Sequence, residues 1–281
     1  MKISTIAWFS YFALVTASSA QPVDGNTLTL VQRGGDRTSV FQSGSGNTLT
    51  IDQSAATSSV VGGLRDSKDG SVISATDQTY SYSVEVPNPK AFIEKSDGTY
   101  ARNVSEKLTM SEPQSITVGT LGAAFSPQEP LRQIGTGNTA TITVSDSVLF
   151  NGGIATAGQV GLYQNNTDST QSGNEATITA YGNATALVGQ LGGNNSAILN
   201  VAVDGTGSIF QMGDNNKANL TVPSGGSGLI SQIGDNNDTT LTVAPGSAAS
   251  YIIYGDNIAQ ANASGVSVQS NGSSVSVTQY R

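Results

Sequence analysis

The sequence has no cysteine and no histidine among its 281 residues, and only 6% of its residues are aromatic. Without cysteine, disulfides cannot stabilise the chain, and without histidine the commonest general base and metal ligand is missing. A thick globular core is not expected from so few aromatic side chains, whereas a thin core of Ala, Val, Ile and Leu fits the composition. The inventory therefore argues against an enzyme, and we expect no catalytic residue, no cofactor and no metal ion.

Basic residues are also few. Lys and Arg number 12 against 20 acidic residues, which gives a formal net charge of -8 and a pI near 4.4. Binding of nucleic acid phosphates requires clustered Lys and Arg, and residues 131–281 contain only Arg132, Lys217 and Arg281. Nucleic acid is therefore not an expected partner.

The only long apolar run lies at the N-terminus. Residues 1–20, "MKISTIAWFSYFALVTASSA", combine one Lys, an apolar centre and a small-residue end, which is typical of a secretory signal peptide. Loss of Lys2 with this segment changes the formal charge from -8 to about -9. We therefore expect a secreted protein. The environment outside the cell would be oxidising, but the chain has no cysteine with which to form a disulfide.

The sequence repeats itself at a fixed interval. "SIFQMGDNNKANLTV" is followed 21 residues later by "LISQIGDNNDTTLTV", and Gln190, Gln211 and Gln232 keep the same spacing. Within each repeat, steps of five, six, four and six residues lead from one Gln to the next. A fixed period of this length indicates a repeat architecture in which neighbouring units must stack to bury their apolar faces.

Each repeat divides into two strands and two turns. Apolar residues alternate along the six-residue steps, as in Ala218, Leu220 and Val222, and a period of two is typical of a β-strand. The shorter steps contain Gly, Asn, Asp and Pro, which favour tight turns. The predicted fold is an all-β β-solenoid with two strands per turn of about 21 to 22 residues, stacked as in cross-β structure, with an irregular insertion.

Stacking places equivalent residues of successive turns above one another. Buried amides in these positions would find partners in the identical amides one strand above and below, as in cross-β fibres. We expect such ladders, which are candidate self-assembly residues, at Gln133, Asn138, Gln164, Asn174, Gln190, Asn195, Gln211, Asn216, Gln232 and Asn237. The expected turn glycines are Gly135, Gly192, Gly213, Gly234 and Gly255.

The repeat resembles the curlin repeat of bacterial curli fibre subunits. The motif appears in "GSIFQMGDNNKANLTV", "GLISQIGDNNDTTLTV" and "TALVGQLGGNNSAILNV", and more loosely in "LRQIGTGNTATITV" and "FQSGSGNTLTIDQ". The resemblance implies a functional amyloid that assembles into extracellular, cell-surface fibres for adhesion and biofilm matrix. Implied partners are other copies of the chain, a related curli subunit or nucleator, and the bacterial outer-membrane secretion machinery.

The chain departs from this family pattern at the end of its strands. Many curlin strands end in a second Gln, whereas Val144, Val201, Val222 and Val243 stand there in this chain. Gln32, Gln42 and Gln53 keep the amide. Half of the expected ladder is therefore apolar in the C-terminal part of the chain.

The chain divides into four parts. Residues 1–20 form the signal peptide, 21–53 an N-terminal curlin-like block, and 131–281 the C-terminal curlin-like solenoid. The insertion at 54–130 contains six of the twelve basic residues and five of the eight prolines. Within it, the alternation that ends in Val84 and Val86 before a Pro-containing turn predicts a small β-hairpin.

Three other interpretations remain open. Asp and Asn oxygens of the "GDNN" turns suit calcium, but each turn offers one carboxylate, so turn chemistry is favoured. Thr-x-Thr pairs such as Thr139 and Thr141 resemble the flat Thr arrays of ice-binding solenoids, but the array is not regular, so Thr as an ordinary strand former is favoured. A monomeric solenoid that binds ice or carbohydrate through a flat face remains the alternative. The chain could also be a nucleating or adhesive minor fibre subunit whose insertion contacts a surface.

Overall fold

The computed structural model describes residues 2–5, 14–17, 25–65, 73–148, 154–155, 158–166, 170–258 and 274–280. Regular structure in these residues is almost entirely β-strand, with one short 3-10 turn at Pro89–Ala91. The described part of the chain contains no helix of the length and apolarity needed to cross a membrane.

Two large sheets run the length of the repeats, with strands numbered here in chain order. Sheet 1 has eight strands, in the order β1 (Lys2–Thr5), β3 (Thr27–Gln32), β5 (Thr48–Ala55), β13 (Thr139–Ser145), β17 (Glu175–Tyr181), β19 (Ser196–Val201), β21 (Lys217–Val222) and β23 (Asp238–Thr242). Sheet 2 has eleven, in the order β11 (Ala124–Ser126), β6 (Val60–Arg65), β4 (Arg37–Ser43), β12 (Leu131–Gly135), β16 (Gln159–Asn166), β18 (Thr185–Leu191), β20 (Thr206–Met212), β22 (Ser227–Ile233), β24 (Ala248–Tyr254) and β25 (Ser274–Tyr280), with β2 (Leu14–Ala17) pairing beside β4.

One rung of the structure is one strand of sheet 1 and one of sheet 2, joined by turns. Alternate side chains of both sheets enter a single apolar cluster, with Ile142 and Leu199 from sheet 1 and Val188 and Ile209 from sheet 2, all fully buried. Strands of successive rungs pair in parallel, so that β17, β19 and β21 follow one another at equivalent positions. The predicted all-β solenoid fold is confirmed.

The insertion divides a strand of one rung. Residues 60–62 of β6 pair with 159–161 of β16, and residues 132–135 of β12 pair with 163–166 of the same strand. The two pieces thus occupy one strand position, "VVG" followed by "LRQIG". Chain excursions usually leave a solenoid at a turn, whereas this one leaves from within a strand.

The interruption therefore begins later than the expected residue 54. The preceding turn, 56–59, has the sequence "ATSS" and contains Ser58 with a positive φ of 68°. Without Gly or Asn, this turn carries no sequence signal for a left-handed residue. Residues 54–62 consequently resembled the start of the insertion, although the structure places them within the solenoid.

Residues 77–119 form a separate compact unit. Two 14-residue strands, β7 (Ser74–Pro87) and β10 (Thr109–Gly122), pair with each other. Between them β8 (Phe92–Glu94) pairs antiparallel with β9 (Tyr100–Arg102). The hairpin expected near Val84 and Val86 is therefore more elaborate, because β7 pairs with a strand that begins 22 residues after β7 ends. A last small pair, β14 (Ser147–Val148) and β15 (Ile154–Ala155), lies in the excursion that follows β13.

Candidate functional site: the buried amide columns

A column of glutamine side chains runs through the inside of sheet 2. The Nε2 of each Gln donates to the Oε1 of the next, at 2.8 Å from Gln133 to Gln164, 2.9 Å from Gln164 to Gln190, 2.9 Å from Gln190 to Gln211 and 2.8 Å from Gln211 to Gln232. All five side chains are fully buried. The donors all point toward the C-terminal end, so the column has a direction.

The second proton of each glutamine amide is also used. Gln190, Gln211 and Gln232 donate to the backbone carbonyls of Glu175, Ser196 and Lys217, at 2.9 to 3.2 Å. Each of these carbonyls lies at the first residue of a sheet 1 strand. The column therefore ties the two sheets together while it connects successive rungs, and leaves no amide proton unpaired.

A second column consists of asparagines at the turn after each sheet 2 strand. The Oδ1 of Asn195 accepts both the backbone N–H and the Nδ2 of Asn216, each at 3.0 Å. The Nδ2 of Asn195 donates to the carbonyl of Gly213 at 2.8 Å. The same arrangement recurs at Asn174. Asn138 accepts the same two donors from Asn174, whereas Asn216 and Asn237 each accept a backbone N–H from the next rung and donate to a glycine carbonyl there. All four side chains are at most 1% exposed.

The glycine three residues before most of these asparagines is required for close stacking of the turns. Gly213 has a φ of +114°, and a Cβ there would lie 2.3 Å from the carbonyl oxygen of Gly234 in the next rung. Both the left-handed backbone and the contact with backbone atoms exclude a side chain. Gly135, Gly192, Gly234 and Gly255 also have positive φ, so all five predicted turn glycines occupy this conformation.

Aspartates form a third column in these turns, with Asp214 half-buried and the other two exposed. Asp214, Asp235 and Asp256 each accept a backbone N–H from the preceding rung, at 2.7 to 2.8 Å. Their carboxylates thus act as turn acceptors, consistent with the interpretation favoured over calcium binding. Among the described residues, no three Asp or Glu side chains lie close enough together to hold a metal ion.

Both amide columns extend further toward the N-terminus than the list of expected ladder residues. Gln42 donates to Gln133 at 2.7 Å, across 91 residues of sequence, and Asn138 donates to Asn47 at 2.9 and 3.0 Å. Asn26 precedes Asn47 in the same column. The five-residue spacing from Gln42 to Asn47 repeats that from Gln133 to Asn138, and was the sequence signal for this extension.

The rung of β3 and β4, the first described rung with glutamine hydrogen bonds, leaves two buried acceptors unpaired. The Oε1 atoms of Gln42 and Gln32 have no hydrogen-bond partner, although their Nε2 atoms donate to Gln133 and Gln53. In every later rung of the glutamine column this Oε1 receives a donor from the rung before. The first rung is therefore incomplete in the direction from which a preceding rung would donate.

Both amide columns are followed by an isoleucine at their C-terminal end. Ile253 takes the Gln position after Gln232, and Ile258 takes the Asn position after Asn237. In β25 the register returns Gln279 to the position of Ile253. The backbone of β25 therefore continues sheet 2 by one strand beyond β24.

A polar network also fills the turn side of the N-terminal rungs. Gln53 donates to Ser59, and Ser59 donates its Oγ and backbone N–H to one carboxylate oxygen of Asp36, each at 2.8 Å. Arg33 donates its backbone N–H to the other oxygen at 3.1 Å. Asp36 is only 2% exposed, and burial raises its pKa above the ordinary value of 3.8 despite these donors.

Replacing one member of the glutamine column should destabilise the solenoid. In Gln211→Leu, the buried Oε1 of Gln232 loses its donor and an Nε2 proton of Gln190 loses its acceptor. An unpaired buried polar group costs about 1 to 3 kcal/mol. We expect a loss of this size in urea unfolding of the soluble chain. Gln159→Leu, at an exposed position of β16, is the control and should change little. Equal effects of the two changes would contradict the ladder's contribution.

The buried carboxyl of Asp36 should make stability depend on pH. Because its folded pKa is raised, the native state holds the proton more tightly than the unfolded state, and stability falls as the pH rises through about 3.8 toward the folded pKa. Asp36→Asn should remove this fall when unfolding free energies are compared across the acidic range. Asp97→Asn is a control of opposite sign. Hydrogen bonds from Thr99 lower the pKa of Asp97, so the ionised form of this carboxyl favours the folded state as the pH rises. Identical pH profiles for wild type and Asp36→Asn would disprove the effect.

No family model, curated protein or solved structure matches this chain. The curlin-like interpretation therefore depends on the repeat motif and its spacing. The amide columns, their direction and their incomplete first rung are the observations from which a function can be argued.

Proposed function

We propose that this chain is a secreted structural subunit that assembles end to end into an extracellular, curlin-like amyloid fibre. The observation that carries the proposal is the pair of unpaired buried acceptors, the Oε1 atoms of Gln42 and Gln32. A buried acceptor without a partner is costly, and one further rung with glutamines in register would remove that cost.

A second copy of the chain can supply this rung. The backbone register of β25 pairs Gln279 with Ile253, which itself pairs with Gln232, and the donors of the glutamine column point toward the C-terminal end. Stacking the β25 rung of one copy before the β4 rung of the next would direct a glutamine donor at Gln42. The same docking would pair the backbone edge of β4, because open strand edges template the addition of another strand.

Removal of the N-terminal segment would open this edge. In the full chain the backbone of β1 pairs with β3 and that of β2 pairs with β4, which is the side where another copy would dock. A chain that retains residues 1–20 therefore has its N-terminal edge occupied, whereas the chain that starts at residue 21 does not. Cleavage of a signal peptide would in this way couple export to assembly.

Assembly can be tested on residues 21–281 and on the full chain together. We expect the shorter chain to form fibrils that bind thioflavin T and give a meridional reflection near about 4.8 Å, the spacing of paired strands. The full chain should elongate the same seeds more slowly, because β1 and β2 cover the docking edge. A shorter chain that stays monomeric for days at high concentration would overturn the proposal.

A second candidate function belongs to the unit at 77–119, as an adhesive module. Among the described residues, ten large apolar side chains are exposed, and seven of them lie in this unit: Val84, Phe92, Ile93, Tyr100, Val104, Leu108 and Met110. The only ion pair between described residues joins Arg132 and Glu129, so the basic side chains of this unit are not engaged in one. The concentration of exposed large apolar side chains in one small unit supports a role for it in surface contact.

Adhesion can be tested by adsorption of the mature chain to alkyl-coated and hydroxyl-coated sensor surfaces. Phe92 and Tyr100 are 47% and 67% exposed, and we expect Phe92→Ser with Tyr100→Ser to reduce adsorption to the alkyl surface several-fold. The matched control is Tyr181→Ser with Ile198→Ser, which removes two exposed apolar side chains of the solenoid. If both pairs of changes reduce adsorption equally, the unit has no specific part in adhesion.

A further inference from the structure

The outer faces of the two sheets differ in character. Outward positions of sheet 1 form rows such as Glu175, Ser196, Lys217 and Asp238, which are polar and differ from rung to rung. Outward positions of sheet 2 include Tyr163, Leu187 and Phe210, which belong to a second apolar cluster outside the solenoid core. The middle strands of sheet 2 therefore carry apolar side chains on both faces, and they lack the strict alternation expected of a half-exposed sheet.

A segment of the chain itself covers this outer face. We define the strap as residues 63–65, 73–76 and 120–126, which lead into and out of the insertion and belong to the same compact unit as the solenoid. Within it, β11 pairs antiparallel with the end of β6, Phe125 opposite Leu64. Leu64, Ile73 and Leu121 pack in the outer cluster, where Leu187 is 5% and Phe210 2% exposed.

The solenoid strands have recesses that receive the strap. A Cβ on Gly161 would lie 2.5 Å from the Cδ2 of Leu64, and a Cβ on Gly189 would lie 2.3 Å from the Cδ1 of Ile73. These glycines therefore provide space for strap side chains between Tyr163, Leu187 and Phe210. Such complementary packing of large and small residues is a feature of a specific interface rather than of a loose loop.

The strap crosses several rungs and is fixed at its far end by a hydrogen bond. Leu64 lies over β16, Ile73 lies over β18 and β20, and the backbone N–H of Leu121 donates to the Oγ of Ser231 in β22 at 2.9 Å. Ser231 is fully buried. The strap thus spans four successive rungs along sheet 2. The backbone N–H of Leu121, which it brings against buried Ser231, has a hydrogen-bond partner there.

Without the strap, the apolar outer face of sheet 2 would be exposed. In a fibre that grows by stacking of strands, this face would lie along the side of the fibre. Flat apolar sheet faces mate with one another at about 10 Å, as in the dry interfaces of cross-β fibres. We infer that the outer face of sheet 2 is a second self-association surface, complementary to the same face of another copy, and that the strap occupies it and so confines assembly to the solenoid ends. The inference rests on the proposed function for its role in fibres, although the surface itself can be tested on soluble chains.

Two deletions in residues 21–281 separate the strap from the unit it carries. Removal of 63–130, with Gly62 joined to Leu131, restores a continuous strand "VVGLRQIG" in register with β16 and removes the strap. Replacement of 77–119 by a short Gly-Ser turn removes the compact unit and keeps the strap. We expect the first variant to form laterally paired or bundled fibrils in electron micrographs, and the second to form single filaments of wild-type width.

Rescue and point variants make the test specific. In the strapless variant, Leu187→Ser with Phe210→Ser should restore single filaments, because the exposed face then becomes polar. If the strapless chain lacks β-structure by circular dichroism, Ile73→Asp in the chain that retains the strap takes its place, since an aspartate would lose the packing against Gly189 and Phe210. Filaments of unchanged width from a folded strapless chain, or from Ile73→Asp, would overturn the inference.

Soluble chains distinguish this inference from the proposed function. In sedimentation velocity before any fibril forms, the strapless variant should self-associate, the variant without 77–119 should stay monomeric, and the serine changes should abolish the self-association. If the variants behave in this way but never form fibrils, the self-association surface is supported and end-to-end assembly is rejected. Fibrils with the meridional strand spacing but no lateral association would do the reverse.

Discussion

The structure depends on one constraint, which is that an amide buried in a thin core must find its hydrogen-bond partners in the rungs next to it. A core that is two sheets thick offers no water and few other polar groups, so the cheapest partner for Gln190 is the glutamine 21 residues later. This requirement fixes the register of each strand to that of its neighbours, because a slip of one residue would place an apolar group against an amide. The 21-residue period and the register of the parallel pairing are consistent with this requirement.

The same constraint explains why large interruptions are tolerated. A rung contributes to the columns through its position in space, and the sequence distance to the next rung does not enter. Gln42 bonds Gln133 across 91 residues, and Gln164 is followed by its asparagine after ten residues instead of five, yet Asn174 still bonds Asn138. Even a strand made of two pieces keeps its register, because each piece is held separately by β16.

The sequence could predict features that depend on local spacing, but not contacts between segments that lie far apart along the chain. Fixed spacing predicted both columns and the alternation along sheet 1, since each depends on local pattern. It could not predict that residues 60–62 and 131–135 form one strand, because nothing local connects them. The strap was missed for a related reason. Stretches such as "TALVGQL" and "GSIFQM" are apolar on both faces, and only a covering segment from elsewhere in the chain explains the outer one.

The two ends of the solenoid differ in how strictly they specify register, and in the proposed fibre this difference would favour growth in one orientation. From Val144 onward the second amide position on sheet 1 is held by Val or Ala, which pack acceptably against many neighbours. At the N-terminal end, Gln32 and Gln53 keep that position, and Gln42, Asn26 and buried Asp36 add further polar groups. Polar columns penalise a misaligned partner more than apolar ones do, because each misplaced amide loses about 1 to 3 kcal/mol. In the proposed end-to-end assembly, the rung of β3 and β4 would thus be the more selective docking surface, and the unpaired acceptors lie in that rung.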